Sequence, residues 1–199
     1  NHTVRAVFAI NQYAITATAG ANGSITPSGT VNVNFGANQL FQITPSTGYH
    51  IDSVFVDGVF LGQSSSYTFT NVTSPHTIRA AFAIDQLTIA ASAGANGSIS
   101  PNGSIIVSYG NNQSFTMTPN TGYHVDSLIV DGTNAGQQTS YTFSNVTVSH
   151  TIRAVFALNV YAITATAGPN GTITPSGTVS VPHGGNQFFA PDNLQQALA

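Results

Sequence analysis

Apolar and polar positions alternate along this chain in short runs, and no long segment carries the spacing of a helix. Tyr13, Ile15, Ala17 and Ala19 alternate with Thr16 and Thr18, the period of two expected of a half-buried β-strand. Asn22-Gly23 follows as a tight-turn signal, then Ile25, then the break Pro27-Ser28-Gly29, then Val31 and Val33. Residues 38–44 carry Leu40, Phe41 and Ile43 ahead of Pro45. Ile51, Val54 and Val56 lead into Asp57-Gly58, a hairpin signal because both residues tolerate positive φ. Tyr67-Thr68-Phe69 opens a further strand. The most regular pattern places Ile78, Ala80, Phe82 and Ile84 on one face, with Thr77, Arg79 and Ala81 on the other. Val4, Ala6, Phe8 and Ile10 form the same face near the start of the chain, and Ile152, Ala154, Phe156 and Leu158 form it again later. The expected fold class is all-β.

These strands belong to one repeated unit. Tyr13-Ala-Ile-Thr-Ala-Thr-Ala-Gly20 returns from Leu87 and again from Tyr161, 74 residues on at each step. Gly48-Tyr49-His50 maps to Gly122-Tyr123-His124, and Val56-Asp57-Gly58 to Val130-Asp131-Gly132. His76-Thr77-Ile78-Arg79 maps to His150-Thr151-Ile152-Arg153 and back to His2-Thr3-Val4-Arg5. The organisation read from this register is a final strand of a preceding unit at 1–12, whole units at 13–86 and 87–160, and an incomplete unit at 161–199. The repeat is lost after Phe189. Asp192 could cap a short helix over Leu194, Ala197 and Leu198, or the tail could be a cap, a linker or a junction. The chain opens on Asn1 without a signal-peptide pattern and reads as a piece of something longer.

Asp85-Gln86, like Asn11-Gln12 and Asn159-Val160, is all that separates one unit's last inward residue from the next unit. Such a join is either a hairpin or a strand that runs on. Both favour tandem β-sheet units forming an elongated, semi-rigid rod over beads on a flexible string. A unit of this size is marginal alone, so neighbouring units are expected to stabilise each other.

Composition narrows the function. Charged residues make up only 5% of the 199 residues, with neither Lys nor Glu; Arg5, Arg79 and Arg153 are the cations. No basic patch exists to release counterions from nucleic acid, so nucleic acid is not an expected partner. Without cysteine there is no disulfide frame, thiolate metal site or thiol nucleophile. No run of about 18 apolar residues is available for a membrane span.

The candidate chemistry lies in His50, Asp52, Asp57 and His76, a donor set suited to a metal or to acid–base work. It returns as His124, Asp126, Asp131 and His150, so the repeated fold explains it more simply, and the Asp-Gly turn accounts for Asp57 and Asp131. No G-x-S-x-G elbow accompanies the many Ser and His residues. The expectation is therefore no catalytic, cofactor or metal site. Tyr49 and Tyr123 are candidate surface aromatics for stacking a sugar, joined by Tyr67 and Tyr141, although packing on the sheet is the simpler role. Arg79 and Arg153 are expected to find cross-strand partners in Asp52 and Asp126. Eight N-x-[ST] sequons begin at Asn1, Asn22, Asn71, Asn96, Asn102, Asn112, Asn145 and Asn170, several of them at turns; their glycosylation depends on the host.

The opening Y-x-I-T-A-T-A-G-x-N-G-S-I-x-P, the central T-P-x-T-G-Y-H-I-D-S-V-x-V-D-G and the closing Y-T-F-x-N-V-T-x-x-H-T-I-x-A-x-F together resemble the divergent internalin-type B-repeat of bacteria, over residues 1–189. Family members often carry Trp near the positions of Val54 and Leu128, so this is a divergent form. The resemblance implies multi-repeat proteins that are extracellular or on the cell surface, serving as stalks, spacers or adhesive arms, with no catalytic residues. The leading expectation is a non-catalytic structural segment whose partners are neighbouring repeats. One alternative is a filament protomer that donates a strand built on Thr3, Val4, Ala6, Phe8 and Ile10 to another copy. The other is an accessory module that binds surface glycans.

Overall fold

A computed structural model describes residues 1–191, all of them strand, turn or irregular chain. No helix long and apolar enough to cross a membrane occurs among them. The tail from Asp192 onward, with its suggested helix cap, lies outside the described residues. The chain divides into two compact units, Asn1–Gln86 with Ser108–Gly110, and Leu87–Val107 with Asn111–Ala199.

The first unit runs through β1 (Gln12–Ala19), β2 (Gly23–Thr26), β3 (Gly29–Asn34), β4 (Gln39–Pro45), β5 (Tyr49–Val56), β6 (Val59–Gly62), β7 (Ser66–Phe69) and β8 (His76–Ile84). Five strands form one sheet in the order β3-β1-β8-β5-β6, and three form a second in the order β2-β4-β7. All pairs are antiparallel except β1 with β8, which run parallel with Ile15 opposite His76 and Ala17 opposite Ile78. The inward residues of both sheets meet in one core: Ile15 and Ala17 from β1, Ile78 and Ala80 from β8, Val54 from β5, and Phe41 and Ile43 from β4. Phe41 is fully buried and meets Phe69 edge-on at 5.8 Å. Burial of a side chain of that size contributes about 1.5–3 kcal/mol.

The turns follow local chemistry. Asn22 takes φ 67°, and Asp57 and Gly58 take 49° and 78°, the two positive values that a two-residue hairpin with right-handed twist requires. Gly23 has a second reason to lack a side chain: an added Cβ would come within 3.0 Å of the Phe82 ring, which lies over it.

The second unit repeats the plan with β9 (Gln86–Ala93), β10 (Gly97–Ser100), β11 (Gly103–Ser108), β12 (Gln113–Pro119), β13 (Tyr123–Val130), β14 (Thr133–Asn134), β15 (Ser140–Phe143) and β16 (His150–Leu158). Its sheets are β11-β9-β16-β13-β14 and β10-β12-β15, around a core of Ile89, Phe115, Met117, Leu128, Ile152 and Phe156 among others. The unit continues into β17 (Val160–Ala165), β18 (Ile173–Thr174), β19 (Gly177–Pro182) and β20 (Ala190–Pro191), where β17 pairs with β19 and β18 with β20. Only Asn159 separates β16 from β17, and the two do not pair, so this join is a strand that runs on rather than a hairpin.

Residues 1–11 depart from the expected final strand: they carry no strand. The equivalent β8 and β16 are held between two neighbours each, and residues 3–10 have no such neighbours among the described residues. Val4, Phe8 and Ile10 consequently stand 96%, 92% and 60% exposed.

Candidate functional site

The His and Asp residues singled out by type do not gather into one centre. Each unit instead uses them in two separate clasps. The Asp57-Gly58 hairpin turns the Asp57 carboxylate toward the start of β8, where Oδ1 accepts the Thr77 amide at 2.7 Å and Oδ2 lies 2.7 Å from His76 Nδ1. The Asp57 amide donates back to the Thr77 carbonyl at 3.0 Å. The His76 ring lies on Phe69 with centroids 4.8 Å apart. The second unit repeats the arrangement with Asp131, Thr151, His150 and Phe143, with His150 Nδ1 2.6 Å from Asp131 Oδ2.

Partial burial pushes the Asp57 carboxyl up, but the hydrogen bonds from His76 and the Thr77 amide, with the His76 charge, outweigh it and hold the group below 3.8. Asp131 is lowered in the same way: burial opposes, and the Thr151 amide and His150 prevail. A carboxylate committed to an amide and an imidazole in this way closes a hairpin onto a neighbouring strand.

The second clasp joins the Gly48-Tyr49-His50 turn to the residue after β8. His50 Nδ1 lies 2.8 Å from Asp85 Oδ1, and the Asp85 amide donates to the Gly48 carbonyl at 2.8 Å. Its counterpart uses His124 and the Asn159 side chain at 2.9 Å, with the Asn159 amide bonded to Gly122 O. An aromatic ring completes each clasp. Tyr109 in the first unit and His183 in the second sit where a Cβ on Gly48 or Gly122 would be, and their amides donate to the carbonyls of Asp85 and Asn159. Sequence reasoning missed Asp85, Asn159, Tyr109 and His183. The available signal was the aromatic-Gly pair repeated as Phe35-Gly36, Tyr109-Gly110 and His183-Gly184.

Two expected pairings fail. Arg79 stands opposite Thr18 and Phe55, and Arg153 opposite Ser92 and Ile129. The register shifts between Ile51 and Ser53, and again between Val125 and Ser127, which takes Asp52 and Asp126 out of the ladder with the Arg-bearing strands. Each instead accepts the hydroxyl of the next serine, Ser53 at 3.1 Å and Ser127 at 3.3 Å. Tyr49 and Tyr123 are half-buried opposite Ile84 and Leu158, and Tyr67 and Tyr141 pack against the cores. Thr3, Val4, Ala6, Phe8 and Ile10, expected to form a strand, are exposed.

Among the described residues no three His, Cys, Asp or Glu side chains converge as a metal site would need, and no polar or charged residue is buried.

The profile of a family described as the divergent InlB B-repeat domain matches residues 13–86 and 87–160. No curated protein matched the chain in sequence comparison.

Proposed function

The chain belongs to the divergent InlB B-repeat family, and on that premise we propose that it is a non-catalytic spacer segment of a bacterial surface or secreted protein. The join at Asn159 carries this reading. β16 passes into β17 through one residue, whose amide, carbonyl and side chain are all engaged, by Gly122, His183 and His124. A join held at three points has little freedom to swivel, and stiffness is what a spacer needs. The clasps support the same reading, because they spend the chain's reactive side-chain types on holding turns and joins. Small-angle scattering of the whole chain tests it: the spacer role requires an extended particle, and a compact globular profile defeats it.

A second reading is self-assembly by strand addition. Its support is the alternating apolar face of residues 3–10, with Val4 and Phe8 more than nine-tenths exposed. Under this reading the full chain forms polymers visible by electron microscopy, and deletion of residues 1–10 abolishes them. Polymers that survive the deletion dismiss it.

A further inference from the structure

Recurrence accounts for the clasps, so side chains that do not recur stand out against the repeated fold. On the outward face of the first unit's five-stranded sheet, Thr18, Arg79, Phe55 and Phe60 lie opposite one another in register across β1, β8, β5 and β6. The matching row in the second unit is Ser92, Arg153, Ile129 and Asn134. Hydroxyl and guanidinium are kept there, and the aromatic pair is not. A groove of about 470 Å³ opens at the first row, lined by Thr16, Thr18, Phe55, Thr77 and Arg79. That is within the span of about 300–1,000 Å³ usual for ligand sites.

We propose that this groove binds an acidic glycan, a sugar chain bearing carboxylates, and that the second unit does not. The chemistry of the lining selects the ligand. Phe55 lines the groove with an aromatic face against which the C–H face of a sugar ring packs, and Phe60, outside the lining, backs it with centroids 5.7 Å apart and planes inclined at 57°. The hydroxyls of Thr16 and Thr18 make no hydrogen bond among the described residues, and the Arg79 guanidinium has neither a hydrogen bond nor an ion pair there. An uncommitted guanidinium offers a planar donor fork that fits a carboxylate. The nearby Asp57 carboxylate is engaged by Thr77 and His76. An extended peptide finds no backbone partners on this face, because β1, β8 and β5 are each paired on both sides. The ligand must therefore be read by side chains alone, through apolar faces, hydroxyls and an anion, and a carboxylated sugar carries all three.

Isothermal titration calorimetry on the whole chain tests this with a galacturonate hexamer, beside a neutral glucose hexamer. The expected result is one site per chain for the galacturonate hexamer and at least tenfold weaker binding of the neutral one. F55I/F60N, which installs the residues of the second unit, and R79Q each weaken galacturonate binding at least tenfold, whereas R153Q leaves it unchanged. All three changes lie on the outward sheet face, and circular dichroism checks that each variant keeps its strands. Absence of binding, two equal sites, equal affinity for the neutral hexamer, or retained binding in F55I/F60N overturns the proposal. So does concentration-dependent self-association by sedimentation that F55I/F60N abolishes, since a second copy is then the occupant of this face.

Discussion

Replacing Gly97 with alanine isolates one packing relation that each unit contains. Gly97 opens β10, and its φ is not in the left-handed region, so alanine suits the backbone. The obstacle is Phe156, whose ring lies over the glycine. A Cβ built there falls 2.5 Å from Cε1 and Cε2. Carbon atoms rest at about 3.5–4.0 Å, so the ring must withdraw by roughly 1 Å. Phe156 belongs to the core with Leu128 and Ile152, where there is little room to retreat. Overpacking of this kind costs about 1–3 kcal/mol. With about 4–8 °C per kcal/mol for a domain of this size, G97A should lower the melting temperature by several degrees in calorimetry. The decisive measurement is the double-mutant cycle with F156L. If the ring is the cause, the G97A penalty disappears in the F156L background, or reverses, because alanine restricts the unfolded chain by about 0.4–1 kcal/mol. A G97A chain as stable as the parent, or a penalty that persists with F156L, refutes the reasoning.

Three further outcomes follow from the same geometry. The hydrogen bonds that hold Asp57 and Asp131 below 3.8 make their contribution complete above that value and lost as pH falls through the lower folded-state pKa. Melting temperatures taken from about pH 6 to about pH 2 should therefore drop at the acid end, and D57N/D131N should flatten that drop. Leu128 is fully buried between the sheets, so L128A should cost about 2–5 kcal/mol in urea unfolding, while L158A, at a position 37% exposed, should cost far less. Asn38 Oδ1 accepts the amide of Asn71 at 2.8 Å, where Asn71 holds φ 48°. N38A should lose about 0.5–1.5 kcal/mol, and the Asn112–Asn145 pair should behave alike.

Much of the fold was legible in one dimension because the information is local. A period of two identifies which side of β1, β8 and β16 faces a core, and Asn22, Asp57 and Asp131 occupy the positive-φ positions that their turn signals announce. The same logic expects a strand at 1–12, whereas residues 1–11 carry none, since an alternating face makes a strand only beside neighbours to pair with. It also left the join undecided, because strand continuation and hairpin have the same residues at a two-residue spacing.

Partnership was decided in three dimensions. His50 reaches Asp85 across 35 positions rather than Asp52 on its own strand. A one-residue bulge removes Asp52 from the ladder and hands the Arg79 flank to Phe55, which no periodicity reveals, because register belongs to a pair of strands and not to either one. The sequence alone determined the repeat, its strands, its turns and the near absence of charge. Only the tertiary structure decided that β1 and β8 run parallel, that the histidines act as clasps, and that one sheet face places an uncommitted Arg79 beside an aromatic pair. The physical reason is that burial pattern and turn preference act over a few residues, whereas pairing depends on which distant strands share hydrogen bonds.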